Sequence, residues 1–125
     1  VPLSPGLSAR LELTVSEADT ALALGSGDVP VLGTPRLVAL CEEACCRAVV
    51  GELDAGDTTV GMRVQLDHLA PTGVGLAVCA EATLEKVEGR RLTFTVTAND
   101  LHGLVGAGKL TRVIVGRESF LKKSL

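Results

Sequence analysis

Aromatic side chains are almost absent: the 125 residues include no Trp, no Tyr and only two Phe, Phe94 and Phe120. Single-stranded nucleic acids are gripped by stacking bases on aromatic platforms, which this composition does not supply. Charge of one sign is lacking too, because 12 basic and 15 acidic residues are scattered to a net −3, with only Arg90-Arg91 and Lys122-Lys123 as short basic pairs. Such a pattern has no electrostatic footprint for nucleic acid. No apolar run approaches the roughly 20 residues that span a bilayer, so no membrane association is expected. Four cysteines are too few for a disulfide scaffold, and Cys41, Cys45 and Cys46 share one expected helix. Together with Cys79 they read as free thiols of a reducing cytoplasm. The Cys41-x-x-x-Cys45-Cys46 spacing, with no nearby His, excludes a structural zinc site, and no metal is expected. No signal peptide is recognisable at the start, where the chain opens on Val rather than Met.

What is abundant is Leu, Val and Ala, which raise the hydrophobic fraction to 46%, enough for one core in a single domain spanning residues 1–125. Leu7 to Val15 alternates apolar and polar residues with the period of a half-buried strand. Ser16 with Asp19 three residues on resembles a capping box opening a short helical turn through about Leu24. Gly25 to Pro30 reads as a loop. Thr34-Pro35 predicts a helix start with Thr34 as its N-cap, and the helix is expected to run to about Leu53. Leu37, Cys41, Ala44, Cys45 and Ala48 fall on one arc of it, with Val38 and Val49 at the edge, a face of small residues suited to close packing on a sheet. Four strand-like runs follow at Thr58–Ala70, Val74–Val87, Arg91–Asn99 and Leu104–Val115, joined by short turn sequences that make antiparallel neighbours. One long helix covering one face of an antiparallel sheet is an α+β architecture.

A few residues carry chemistry. His68 falls with Val60, Met62, Val64, Leu66 and Ala70 on the apolar side of its run, where it is either a core imidazole satisfied by a carbonyl or a base in a dry pocket. Glu43 has Arg47 at i+4 and faces away from the apolar arc, as a solvated ion pair would. Glu42 sits at the edge of the buried stripe, either reaching solvent or poised as general base or nucleophile. Thr34 and Glu42 are eight residues apart, about 12 Å along a helix axis. Long side chains at a kinked start, or groups from two subunits, are needed for both to meet one reacting atom. Gly61 inside a strand marks close backbone approach by a ligand or a bulge. Arg112 shares a strand face with Leu110 and Ile114, and either binds an acidic group in a pocket or pairs with a carboxylate at the core edge. Gly106-Ala107-Gly108 lies within a strand-like run and is no phosphate loop.

Thr34-Pro35 with Glu42-Glu43, then Thr59-Val60-Gly61, then His68-Leu69-Ala70-Pro71-Thr72, with Gly89-Arg90-Arg91-Leu92 and Gly106-Ala107-Gly108 downstream, occur in an order and spacing that resemble the hotdog-fold thioesterases. Among these the chain is most similar to the fluoroacetyl-CoA thioesterase group, from about Leu7 to Val115. The resemblance implies an antiparallel sheet wrapped around a central helix and a homodimer that joins two such sheets, with dimer versus tetramer left open by the sequence. It also implies hydrolysis of an acyl-CoA thioester, with coenzyme A entering only as part of the substrate. By the same resemblance Thr34, Glu42 and His68 match the catalytic residues, Gly61 the glycine whose amide meets the thioester carbonyl, and Arg112 an arginine near that site. One departure is plain. Fluoroacetyl-specific members close the site with phenylalanines from the segment before the catalytic helix, and Gly25-Ser26-Gly27-Asp28-Val29-Pro30 contains none. Fluoroacetyl specificity is therefore not expected. The rival reading is a noncatalytic hotdog module that binds acyl thioesters; a hydratase on the same fold lacks a recognisable signature.

Overall fold

The alternating opening segment forms an edge strand, β1 (Ser8–Thr14), with Ala9, Leu11 and Leu13 turned inward, in the computed structural model, which describes residues 3–125. Asp19 Oδ2 accepts from the Ser16 amide at 2.8 Å, the return bond of a capping box, and also from the Ser16 hydroxyl at 2.9 Å. The turn it opens is divided, however. A 3-10 turn over Glu17–Asp19 ends at Thr20, whose hydroxyl accepts the Ala23 amide and caps a separate single turn, α1 (Ala21–Leu24).

The long helix α2 spans Thr34–Val49. Its N-cap is Gly33, so Thr34 is the first helical residue rather than the cap, and its hydroxyl is free for another partner. The expected continuation to Leu53 stops at Val49, because Val50–Glu52 tightens into a 3-10 turn. Leu37, Cys41, Ala44, Cys45, Ala48 and Val49 are buried as the arc predicts, and Leu40 joins them. Burial pushes the thiol of Cys41 up to about 11 and that of Cys45 to about 12. Both therefore remain protonated and act as small apolar packing residues.

Four antiparallel strands complete the sheet: β2 (Asp57–His68), β3 (Ala77–Glu88), β4 (Arg91–Asp100) and β5 (Gly103–Gly116). Their order is β1-β3-β4-β5-β2, all antiparallel, which puts β1 and β2 at opposite edges with α2 carrying the chain between them. The helix packs chiefly against β1 and β3. Phe94, Leu84, Leu92 and Val96 fill the space beneath it. This is the expected α+β arrangement of one sheet curled around one helix. A short helix, α3 (Arg117–Lys122), follows β5 where no element was expected.

One irregularity matters for the site. Gly61 pairs with Arg112 and Arg63 with Thr111, so Met62 is an extra residue, a β-bulge on β2. Val60 therefore does not share a face with Leu66 and His68, contrary to the unbroken alternation of the sequence. Before the bulge Thr59 and Gly61 face the helix; after it His68 does.

Candidate active site

Two groups of side chains from α2, β2 and β5 lie along the helix–sheet boundary. At the helix start, Thr34 Oγ1 and His68 Nδ1 lie 2.8 Å apart. The other ring nitrogen, Nε2, is buried with no hydrogen-bond partner among the described residues. Burial pushes the imidazole below its ordinary pKa, and the Ala70 backbone pulls only partly the other way. A neutral ring with an uncommitted nitrogen suits proton transfer at neutral pH.

The placement of this pair depends on buried ties. Thr72, 0% exposed, donates to Asp100 Oδ2 at 2.8 Å, and its carbonyl accepts the Leu32 amide at 2.8 Å. The Leu69 amide is held by the Val105 carbonyl at 2.7 Å. The segment after His68 is thus fastened both to the turn between β4 and β5 and to the residues before Thr34. Thr72 stood within the His68 motif without a role assigned to it, and Asp100 was not singled out; the signal for Asp100 was only its position at a turn.

The second group lies about two helical turns further on. Glu42 Oε2 accepts from Arg112 Nη1 at 3.0 Å. The side chain of Arg112 is 9% exposed and that of Glu42 35%. A Cβ built on Gly61 would lie 2.7 Å from Glu42 Oε2, so the carboxylate rests against the strand backbone in space that only glycine leaves open. Gly61 is accordingly both a close-approach residue and the neighbour of a bulge. Arg112 also gives Nε to Thr59 Oγ1 at 3.0 Å and Nη2 to the Thr59 carbonyl at 2.9 Å. Its guanidinium is thus committed to Thr59 and Glu42. Glu42 Oε1 accepts no hydrogen bond from the described residues. Glu43 pairs with Arg47 at 3.2 Å on the exposed face and takes no part.

Within one chain the two groups do not bond to each other. Next to the Thr34–His68 pair lies a cleft of about 350 Å³, with those two residues on one side and Ser26, Gly27, Asp28 and Val29 on the other. No aromatic residue lines it. Among the described residues, no cluster of three or more His, Cys, Asp or Glu side chains is placed to hold a metal ion.

Comparison with known proteins decides what this arrangement belongs to. The profile of the fluoroacetyl-CoA-specific thioesterases matches residues 15–118. The chain belongs to this family of thioester hydrolases. It is 38% identical to the fluoroacetyl-CoA thioesterase of Streptantibioticus cattleyicolor over 93 residues, which covers 74% of this chain and 67% of that protein. A solved structure of the fluoroacetyl-CoA thioesterase FlK superposes with a TM-score of 0.93 at 31% identity, covering 99% of this chain and 96% of that one. A Thermus thermophilus protein described as a thioesterase superfamily member superposes with a TM-score of 0.88 at 30% identity, over 98% of this chain and 93% of its own. Family membership favours hydrolysis over the rival reading of a noncatalytic module.

Proposed function

We propose that this thioesterase hydrolyses a small or medium acyl-CoA, is not specific for fluoroacetyl-CoA, and works as a homodimer. The observation that carries the chemistry is the Glu42 carboxylate, fastened through Oε2 by Arg112 beside Gly61 while Oε1 has no partner among the described residues. Thioester cleavage needs an attacking oxygen, a donor for the developing oxyanion and a proton for the departing thiolate. Glu42 Oε1 either attacks the carbonyl carbon, giving a mixed anhydride that water then opens, or takes a proton from the attacking water. The Gly61 amide receives the oxyanion. In the first route neutral His68 takes at Nε2 a proton of the water that opens the anhydride; in the second it takes the hydroxyl proton of the tetrahedral intermediate, and Glu42 gives the proton it took from water to solvent. In both His68 passes its proton to the thiolate, with Thr34 holding the ring through Nδ1. The thioester itself bridges the space between the two groups.

The acyl preference follows from what faces the cleft. FlK has been solved, as a variant, with fluoroacetate and CoA, and that structure superposes on this chain with a TM-score of 0.89 at 31% identity, which supports a CoA thioester as the substrate class. Here the loop beside His68 offers Ser26, Gly27, Asp28 and Val29, with no phenyl ring to close over a two-carbon acyl group. A cleft near the lower end of ordinary ligand volumes accommodates a short or medium chain. For the dimer, the support is edge strand β2, where Gly61 to Gln65 are all exposed, with Met62 and Val64 among them. An exposed apolar edge is a ready surface for a second strand.

The test is thiol release from a panel of short, medium and aromatic acyl-CoAs, with fluoroacetyl-CoA included, for the native chain and for Glu42→Gln. The expected result is turnover of one or more members other than fluoroacetyl-CoA, abolished in the variant with the fold unchanged by circular dichroism. An active Glu42→Gln protein refutes the role of the carboxylate, and a strong preference for fluoroacetyl-CoA refutes the specificity.

A further inference from the structure

Arg112 reaches Glu42 with only one of its three nitrogens, and the other two are held by a single residue. Thr59, 8% exposed on the inner face of β2, accepts Nε on its hydroxyl at 3.0 Å and Nη2 on its carbonyl at 2.9 Å. A guanidinium is planar and its donors form a rigid fork, so fixing two nitrogens decides where the third must lie. Here that third nitrogen, Nη1, lies 3.0 Å from Glu42 Oε2. The strand register makes the grip possible: Gly61 is paired with Arg112 and Thr59 with Ile114, which puts Thr59 diagonally beside Arg112 on the face toward the helix. Among the described residues, the hydroxyl's other hydrogen-bonding neighbour is Cys46 Sγ, at 4.0 Å.

We propose that Thr59 is a positioning residue for thioester cleavage. Its two acceptors aim Arg112 so that the arginine holds Oε2 of Glu42 and leaves Oε1 for the substrate. Valine has nearly the same shape but no hydroxyl acceptor. In Thr59→Val the carbonyl bond to Nη2 remains, the guanidinium is free to pivot about it, and Nη1 is no longer held toward the carboxylate. A Thr59 that merely satisfied a buried arginine would affect stability and leave the turnover of folded protein unchanged. The inference rests on Glu42 being the reacting carboxylate, so its test has one readout that does not require activity.

That readout is hydrogen exchange of the Arg112 Nε–H, followed by 1H–15N NMR in the native chain, Thr59→Val and Thr59→Ser. Exchange should be slow in the native chain and in Thr59→Ser, and fast in Thr59→Val. The second readout is steady-state thiol release. Thr59→Val should lower kcat roughly tenfold with KM within about twofold, the size expected from losing one charge-assisted hydrogen bond, and Thr59→Ser should restore it. Thr59→Val combined with Arg112→Lys should lose little beyond Arg112→Lys alone, because the two residues act as one unit. Wild-type kcat in Thr59→Val, or losses that add in the double variant, overturns the proposal. If the native chain releases thiol from no acyl-CoA, the thioesterase chemistry assigned to Glu42 fails, and the exchange rates alone decide whether Thr59 holds Arg112.

Discussion

His68 illustrates how far a single residue can be read from its neighbours. Its place beside Leu66 marked it as inward-facing, and the structure puts its ring against Thr34, with Nε2 unpaired among the described residues. The same isolation from solvent that leaves Nε2 without a partner drives the pKa down. Two consequences follow with a definite sign. A base that must be neutral stays neutral to lower pH than a free histidine, so the acid limb of the kcat profile should fall below about 6.5. Because the folded pKa is depressed, the unfolded chain binds the proton first; stability should be unaffected by this group above about 6.5 and should decline as pH falls through the folded value. Denaturant melts of the native chain and His68→Gln from pH 7 to pH 5 check this, since the variant should lose less stability over that interval. Thr34, Glu42 and His68 drew notice through the motifs that carry them and the chemistry of their side chains. Thr59 stands in one of the same motifs but drew none, because an inward Thr on a strand looks like any β-branched packing residue until the arginine beside it is seen.

At the level of elements, α2 was legible from its own pattern, since Pro35 marks the start and the small-residue arc recurs at the helical period. Its cap was misread because Thr is a good N-cap by itself, and only the tertiary partner His68 explains why the hydroxyl is turned elsewhere. The β2 bulge was hidden for a different reason: Val60, Met62, Val64 and Leu66 alternate without a break, and nothing local reveals that β5 skips one of them. Gly108 shows how tightly these strands are set. A Cβ on it would run into the Gln65 carbonyl across the β2–β5 pair. Backbone cannot retreat as a side chain can, so Gly108→Ala should destabilise the fold by at least about 1–3 kcal/mol, as overpacking does. Urea unfolding followed by circular dichroism measures it, and a variant as stable as the native chain refutes this account of the register.

For the whole molecule, the sheet has one edge supported by the helix and one edge bare. β1 lies under α2, whereas the middle of β2 exposes residues on both faces at the strand that also carries Gly61. If a second copy pairs here, the site and the interface share a strand. Placing a charge there tests both at once. Val64→Arg should shift the mass measured by light scattering from dimer toward monomer and reduce thiol release in parallel. A native chain that is monomeric at assay concentration and fully active refutes the dimer. No local pattern in the chain states how many copies assemble, because alternation describes which face is apolar and not what covers it.

The bulge at Met62 also gives that position an unusual kind of requirement. A strand counts in twos, and Gly61 and His68 are seven residues apart, an odd interval that an unbroken strand would send to opposite faces. The extra residue corrects the parity, so the carboxylate cradle and the imidazole both look at the helix. What the protein needs from position 62 is therefore its presence more than its chemistry. Many side chains can stand at this half-exposed point, but deleting one residue would put the cradle and the imidazole out of phase, as a missing tooth does in a gear.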